Sequence, residues 1–274
     1  MAQAQGCKAG VVTFLGHPDR LVSGVKTALI NTPADRSCLL RRYGMDTVIE
    51  LPFDKKLMKM PYLTFFRMLL AKYGAAGLVC GHDFRFGNLG EGNAEKLQAA
   101  CAEAGIPCVV VPEQKVDGIT VSSTHIRQLL EQGDMERAAR FLGHPHIFTG
   151  TVVPGRHLGR TLGIPTANLV LPKGVLMPEF GVYACRTCID GKTYSAVTNV
   201  GIRPTVEGWG VTVEPWILGF DGDLYGQSLT LEFYKYLRPE RKFPSLADLQ
   251  AEIQKNAAET EKYFENILYN GENL

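Results

Sequence analysis

Residues 181–200 of the chain are GVYACRTCIDGKTYSAVTNV, two strand-like runs joined by Asp190 and Gly191. A two-residue Asp-Gly connection between such runs is a strong signal for a β-hairpin, because both turn positions need a positive φ. Further strand-like runs lie at 147–153, 211–220 and 228–237. Five or six antiparallel strands without intervening helices indicate a closed barrel or a sandwich. A long helix is predicted after them, at 245–268, with Leu246 on its apolar side.

The first half of the chain alternates between strand-like and helix-like segments. The predicted strands are 11–14, 46–51, 77–80 and 108–112, and the predicted helices are 61–72, 94–104, 124–132 and 135–142. Short apolar strands separated by helices indicate a parallel sheet that is covered on both faces. We therefore predict an α/β + β protein with two domains, 1–144 and 145–274.

The composition is that of an ordinary globular protein. Apolar residues make up 45% of the 274 residues and charged residues 21%, enough to form a core. With 29 basic and 28 acidic side chains the net charge is +1, so no nucleic-acid or membrane surface is predicted. The seven cysteines are scattered, and no secretory or membrane-spanning segment is predicted. We therefore expect reduced thiols and a cytoplasmic location.

A glycine-rich segment at 155–168, GRHLGRTLGIPTAN, is the most informative one for function. Its first nine positions contain three glycines and two arginines: Gly155, Arg156, Gly159, Arg160 and Gly163. The glycines allow backbone N–H groups to approach phosphate oxygens closely, and the arginines add positive charge. Thr166 and Asn168 follow, and in an extended chain their side chains share one side. Their oxygens suit Mg²⁺. A flexible loop before an ordinary strand is the alternative from composition alone.

A carboxylate lies inside the apolar run 211–218, VTVEPWIL. Glu214 is predicted to point to one side of the strand with Thr212 and Trp216, and its two neighbours to the other. A carboxylate in such surroundings is costly unless it is paired, exposed or functional. An outward-facing strand glutamate is an equally good reading of this segment alone. Together with the glycine-rich segment, Glu214 completes the parts that phosphoryl transfer to an alcohol needs.

Several segments carry a resemblance to a known family. They are 159–168, 178–183, 198–205, 220–226 and 236–240, with Glu214 between the third and the fourth. In this order they resemble riboflavin kinases, and the likeness runs through Phe243 into the final helix. The resemblance implies a six-stranded antiparallel barrel with a C-terminal helix. It implies transfer of a phosphoryl group from Mg-ATP to the riboflavin 5′-hydroxyl, which gives FMN. It also implies Mg²⁺ and ATP at Thr166 and Asn168, phosphates under the glycine loop, and Glu214 as the base.

The first half resembles the other half of the bacterial bifunctional enzyme, riboflavin kinase fused to FMN adenylyltransferase (FAD synthetase). Residues 81–87, GHDFRFG, are similar to its flavin-side loop, which implies roles for Asp83, Phe84 and Phe86. Residues 121–127, VSSTHIR, are similar to the phosphate motif of nucleotidyltransferases. This second likeness implies nucleotide-site roles for four residues: Ser122, Ser123, Thr124 and Arg127. Hydroxyls and free N–H groups at a helix start also favour an anion on physical grounds. A plain serine cap is the alternative.

The resemblance fails at the beginning of the sequence. In the family, a strand and a loop with a His-x-Gly-His motif precede the segment that corresponds to 14–18, FLGHP. We therefore expect an incomplete, Rossmann-like parallel sheet in the first domain and very weak FAD synthesis. Two alternatives stay open: a fully bifunctional FAD synthetase, and a non-catalytic flavin- or nucleotide-binding module, which would not need Glu214. The oligomeric state is not predicted.

Two features are given structural roles only. Cys185 and Cys188 have the spacing of a redox or zinc pair, but on a strand residues three apart face opposite sides. His144 and His146 flank a proline at the predicted domain junction, where a linker role is favoured over metal binding.

Overall fold

The chain divides into two compact units. A computed structural model describes residues 1–16, 21, 24, 26–155, 163–170, 172, 174–205 and 208–270. The first unit comprises Met1–Leu29 and Arg36–Val121, and the second comprises Ile30–Asp35 and Ser122–Leu274. The helices α5 and α6, defined below, therefore belong to the same compact unit as the barrel.

Parallel strand pairs and helices make up the first unit. Its strands are β1 (Gly10–Phe14), β2 (Thr47–Leu51), β3 (Leu78–Gly81), β4 (Cys108–Val111), β5 (Lys115–Val116) and β6 (Ile119–Thr120). The helices up to Val121 are α1 (Pro33–Arg42), α2 (Lys55–Met58), α3 (Tyr62–Tyr73) and α4 (Ala94–Glu103). β1 pairs in parallel with β2, and β3 with β4, as the sequence predicted. The short helix α2, the hairpin β5–β6 and the polar helix α1 were not predicted.

The parallel strands form two separate pairs in the described residues instead of one sheet. One face of β3–β4 packs against a core that contains Phe65, Leu97 and Cys101. On the other face Val79 and Val109 are 55% and 46% exposed, although parallel sheets are normally covered on both faces. The parallel strands and helices of this unit are consistent with the nucleotidyltransferase-like sheet domain expected from the sequence.

The second unit contains a closed barrel. Its elements are α5 (Ser123–Glu131), α6 (Met135–Leu142), β7 (His146–Val153), β8 (Asn168–Val170), β9 (Gly181–Ile189), β10 (Lys192–Thr205), β11 (Gly208–Ile217), β12 (Ser228–Arg238) and α7 (Leu246–Asn270). The barrel order is β10-β11-β8-β7-β12-β9, closed by antiparallel pairing of β9 with β10. Asp190 and Gly191 have φ values of 50° and 78° and form the predicted hairpin turn. The predicted six-stranded antiparallel barrel with a C-terminal helix is thus confirmed.

Alternate residues of each strand fill the barrel interior. Cys185 is buried and Cys188 is exposed, as expected for a strand. His146 is not a linker residue, and that prediction was wrong. β7 begins at His146, whose side chain is 1% exposed and lies 6.1 Å from the ring of Phe233. The prediction for the start of α7 was also wrong, because Leu246 is 65% exposed.

Candidate active site

The strand register brings Asn168 and Glu214 opposite each other. Leu169 pairs with Val213, and Thr166 forms an antiparallel bridge with Trp216. The backbone N–H of Ala167 donates to the carbonyl of Pro215 at 2.9 Å. Between these pairs the same register sets Asn168 of β8 directly across from Glu214 of β11.

β10 continues this arrangement on the other side of β11. Asn199 of β10 pairs with Glu214 in the antiparallel register. Directly opposite residues project from the same face of a sheet, so Asn168, Glu214 and Asn199 form a line across three strands. We call this line the polar row. Leu169 and Val213, the sequence neighbours of Asn168 and Glu214, are buried in the barrel interior. Neighbouring residues of a strand face opposite sides, so the polar row lies on the outer face.

Glu214 is largely buried on this outer face, with 8% of its surface exposed. Its same-face neighbour Trp216 packs against a cluster that contains Val197 of β10 and Ala257 of α7. Burial beside an aromatic ring and aliphatic side chains makes a carboxylate costly to keep unless it has partners or a function. Val213 and Glu214 lie on opposite sides of β11, as the alternation predicted; Val213 faces inward and Glu214 outward.

The glycine-rich segment begins against the polar row. A Cβ atom added to Gly155 would lie 2.1 Å from Nδ2 of Asn168, so the Gly155 backbone is in contact with this carboxamide. Thr166 and Asn168 are both partly buried and share one side of the chain. Gly163 has a φ of 68°, a conformation that favours glycine. Arg156, Gly159 and Arg160 lie outside the described residues.

A cavity of about 510 Å³ opens beside Thr166. One wall is formed by 165–167 with Pro215 and Ile217, and the other by the loop 220–225. The ring of Phe220 packs edge-to-face on Tyr194, with 5.4 Å between the ring centroids, a spacing typical of aromatic pairs. Sequence reasoning from residue chemistry gave this loop no role. Its two aspartates and its glycine resemble those of an ordinary turn, and only the likeness to riboflavin kinases marked it.

In the first unit, the loop 81–87 contains an aromatic stack. The rings of Phe84 and Phe86 lie 5.1 Å apart and nearly parallel, with an angle of 13° between them. Phe86 is a core residue, packed also against Phe65, whereas Phe84 is partly and Asp83 largely exposed. Phe86 therefore fixes the loop, and Phe84 and Asp83 are the members that a ligand can contact.

The predicted phosphate motif at 121–127 opens α5. Ser122 is the N-cap, and its side chain accepts a hydrogen bond from the N–H of His125 at 3.2 Å. Ser123 and Thr124 are exposed in the first turn, and Arg127 is partly buried one turn later. The Ser122 hydroxyl thus accepts a hydrogen bond from an N–H group of its own helix. Ser123 and Thr124 carry the accessible hydroxyls.

The groups in and beside the polar row that could bind a cation are side-chain oxygen atoms. They are not a cluster of several His, Cys, Asp or Glu side chains. The described part of the chain contains no group of three or more His, Cys, Asp or Glu side chains that could hold a metal ion. The Thr166 hydroxyl and the Asn168 carboxamide are hard oxygen donors, suited to a cation that keeps several waters.

Comparisons with known proteins identify the family of the chain. A sequence model described as riboflavin kinase matches residues 142–264, and one described as FAD synthetase matches residues 1–125. The bifunctional riboflavin kinase/FMN adenylyltransferase of Pseudomonas fluorescens is 38% identical over 217 residues, which are 78% of this chain and 70% of that protein. The chain belongs to this bifunctional family. It contains a riboflavin kinase domain and a FAD synthetase domain.

Other members of the bifunctional family match nearly the whole chain. The protein of the same name from Listeria monocytogenes is 29% identical over 270 residues, 97% of this chain and 86% of the relative. A crystal structure named macrolide-efflux protein, from Streptococcus pneumoniae, is similar with a TM-score of 0.84 and 30% identity. The similarity covers 95% of this chain and 85% of that one. The word efflux in that name describes the Streptococcus pneumoniae protein and not this chain.

Membership in the bifunctional family assigns the substrate classes. Riboflavin, FMN and ATP are the substrates of its two activities, and the barrel with α7 lies within the riboflavin kinase match. Among the described residues, no helix has the length and apolar character needed to cross a bilayer.

Proposed function

We propose that the barrel phosphorylates riboflavin at the polar row, with Glu214 as the general base. One observation carries this proposal: Glu214 stands opposite Asn168, whose carboxamide contacts the Gly155 backbone. A carboxylate, an oxygen donor pair and the start of a glycine loop therefore meet on one outer face. Phosphoryl transfer to an alcohol needs these three parts.

The phosphates of ATP are bound by the loop that starts at Gly155. Its proposed phosphate-binding residues are Gly155, Arg156, Gly159, Arg160 and Gly163. Backbone N–H groups at glycines can approach phosphate oxygens closely, and the arginines supply charge-assisted hydrogen bonds. Thr166 and Asn168 would hold Mg²⁺ through their side-chain oxygens. When bound, Mg²⁺ neutralises charge on the phosphates.

Glu214 acts on the acceptor alcohol. The carboxylate takes the proton of the riboflavin 5′-hydroxyl while that oxygen bonds to the γ-phosphorus of ATP. The bond from the γ-phosphorus to the bridging oxygen breaks, and ADP leaves with the electron pair. Because Glu214 is largely buried, few waters compete for its oxygens. A positioned base of this kind contributes about 10²–10⁴-fold to the rate.

The cavity beside Thr166 is proposed to receive the nucleoside part of ATP. Its volume of about 510 Å³ lies in the usual range of small-molecule sites, about 300–1,000 Å³. Apolar side chains from the barrel line one wall, and the carboxylates of Asp221 and Asp223 lie in the other. The cavity adjoins the segment that carries Thr166, which supports a nucleotide whose phosphates reach the polar row.

The FAD synthetase domain is proposed to bind its substrates through the two motifs of the first half. Asp83, Phe84 and Phe86 form the flavin side, with Phe86 supporting the other two from the core. Ser122, Ser123, Thr124 and Arg127 form the phosphate side at the start of α5. We place the border between the catalytic domains at 144/145, near residue 142, where the riboflavin kinase match begins. Weak FAD synthesis and a cytoplasmic location stay predictions.

Product analysis tests these proposals together. The full chain is incubated with riboflavin, ATP and Mg²⁺, and riboflavin, FMN and FAD are separated by chromatography. FMN formation that disappears when Mg²⁺ is chelated supports the kinase proposal. Absence of FMN at all Mg²⁺ concentrations would contradict it. The FAD signal separately reports the adenylyltransferase, and substantial FAD would contradict the expected weakness.

A further inference from the structure

A second glutamate is linked to the polar row through Asn199. Nδ2 of Asn199 donates a hydrogen bond to Oε1 of Glu240 at 3.0 Å. Asn199 is also the residue opposite Glu214 on β10 and β11. One carboxamide therefore stands between the proposed base and a carboxylate that the proposed mechanism does not use.

The Glu240 carboxylate packs against β10 at Gly201. A Cβ atom added to Gly201 would lie 2.1 Å from Oε1 of Glu240 and 2.5 Å from Oε2. Gly201 is buried and faces the same side as Asn199, two residues before it. The Glu240 carboxylate thus occupies the space that a side chain at position 201 would fill. Only glycine at this position leaves that space to the carboxylate.

The backbone around Glu240 is fastened to α7 on both sides. Before it, Nε of Arg238 donates to Oδ1 of Asn256 at 3.0 Å and lies 3.4 Å from Oε1 of Glu252. After it, Arg241 approaches Oε2 of the same Glu252 at 2.6 Å. Exposed side chains usually lose entropy when they are held in one geometry. Here two arginines and the intervening proline restrain the backbone on both sides of Glu240, whose side chain is exposed.

A carboxylate can only accept hydrogen bonds, whereas a carboxamide has one accepting and one donating end. The bond to Glu240 therefore determines which end of the Asn199 carboxamide faces Glu240 and which of its atoms remain for a ligand. The remaining N–H and the carbonyl oxygen of Asn199 suit adjacent hydroxyl groups, each of which donates and accepts. The acceptor of the proposed reaction carries such hydroxyls next to the reacting one.

We propose that Glu240 is a positioning residue for the acceptor alcohol: it orients the Asn199 carboxamide, which binds the polyhydroxyl chain beside Glu214. This inference rests on the proposed function. Asn199 would contact the substrate, and Glu240 would act through it.

The first test removes the acceptor of the orienting bond. In Glu240→Ala, kcat/KM for riboflavin is expected to fall about tenfold or more, the loss typical of a hydrogen bond with a charged partner. The KM for ATP and the midpoint of thermal unfolding are expected to stay as in the wild type. Glu259→Ala is the matched control, because the Glu259 carboxylate on α7 pairs with Lys235 of β12 at 3.7 Å, outside the polar row. Unchanged kcat/KM for riboflavin in Glu240→Ala would overturn the proposal.

The second test exchanges donor and acceptor. In the double variant Asn199→Asp/Glu240→Gln, the amide at 240 donates to the carboxylate at 199, so the link and the net charge are kept. The thermal midpoint is expected to match the wild type, while kcat/KM for riboflavin stays low because position 199 has lost its N–H. Recovery of activity together with stability would mean that the bond is only a structural link.

A third variant keeps both functional groups. Gly201→Ala displaces the Glu240 carboxylate by its added methyl group, and the same selective loss toward riboflavin is expected. Binding of riboflavin, followed by the quenching of its fluorescence, should weaken in this variant without a change in KM for ATP. Equal binding to Gly201→Ala and wild type would contradict the proposal. If the wild-type chain formed no FMN, the proposed function would fail first, and the two failures are thus distinguishable.

Discussion

Asn168 and Glu214 occupy facing positions on β8 and β11, on the outer surface of the barrel, and the backbone of Gly155 touches the Asn168 carboxamide. Replacing Glu214 by Gln keeps the size of the side chain and removes its basicity. We expect kcat for FMN formation to fall about 10²–10⁴-fold, with ATP binding intact because the phosphate loop is unchanged.

Glu232→Gln is the control for this substitution. Glu232 is also a strand glutamate of the barrel, on β12, where it accepts a hydrogen bond from the Tyr234 hydroxyl at 3.0 Å. Its replacement should leave kcat near the wild-type value. Equal turnover by Glu214→Gln and wild type would remove Glu214 from its proposed role.

Gly155→Ala tests the contact between the glycine loop and the Asn168 amide, the proposed Mg²⁺ ligand. The new Cβ would lie 2.1 Å from Nδ2 of Asn168, so the carboxamide must move. We expect the Mg²⁺ concentration for half-maximal activity and the KM for ATP to rise about tenfold, as for one lost charge-assisted contact. The fold should be retained, since the displaced atoms are the end of a side chain.

A glycine with more room provides the comparison. A Cβ atom at Gly10 would meet its nearest neighbour, the Thr47 carbonyl oxygen, at 3.8 Å. Gly10→Ala should therefore leave the Mg²⁺ dependence of FMN formation unchanged. If Gly155→Ala behaved like Gly10→Ala, Asn168 would not be a metal ligand of the proposed kind.

The barrel was predictable from its strand and turn pattern, and so was the division of β11 into two faces, because side chains alternate along a strand. Which face carries Glu214 was left open. Val213 and Glu214 had to face opposite ways once 211–218 was recognised as a strand. The register that sets Glu214 against Asn168 and Asn199 was not predictable, because it depends on which strands become neighbours. The Glu240 link was also beyond the sequence, since it joins positions 41 residues apart.

Burial was the other property that local patterns did not determine. His144 and His146 are polar residues on either side of a proline, and this pattern favoured a linker. His146 is instead the first residue of a barrel strand, and its side chain points inward. The apolar Leu246 shows the opposite error, because the first turn of α7 extends past the surface that the helix covers.

Substitutions at Phe84 and Phe86 separate an anchor from a contact residue in the first unit. Phe86 is 7% exposed within the core, so Phe86→Ala should destabilise this unit by about 3–5 kcal/mol. Phe84 is only partly buried, so Phe84→Ala should cost markedly less. Thermal unfolding followed by circular dichroism measures both. A Phe84→Ala loss as large as that of Phe86→Ala would show that both rings are structural anchors.

His146 should make the barrel sensitive to acid. Its ring is buried, and within the part of the chain that the structure describes neither ring nitrogen has a hydrogen-bond partner. Burial, with a smaller contribution from nearby His144, lowers the pKa of His146 from 6.5 to about 4. Since the unfolded chain binds the proton more readily, the stability from this group is complete above about pH 6.5. It is lost as the pH falls toward 4, to a total of about 3 kcal/mol.

Denaturant unfolding at pH 7.5 and pH 5 measures this effect. Both tryptophans of the chain, Trp209 and Trp216, belong to the barrel strand β11, so their fluorescence follows the unit that contains His146. The loss of unfolding free energy between the two pH values should be smaller in His146→Phe than in the wild type, because the variant has no proton to bind at this position. His82→Gln replaces an exposed histidine of the other unit and should keep the wild-type pH dependence. An identical pH dependence in His146→Phe and wild type would mean that the buried ring does not control acid stability.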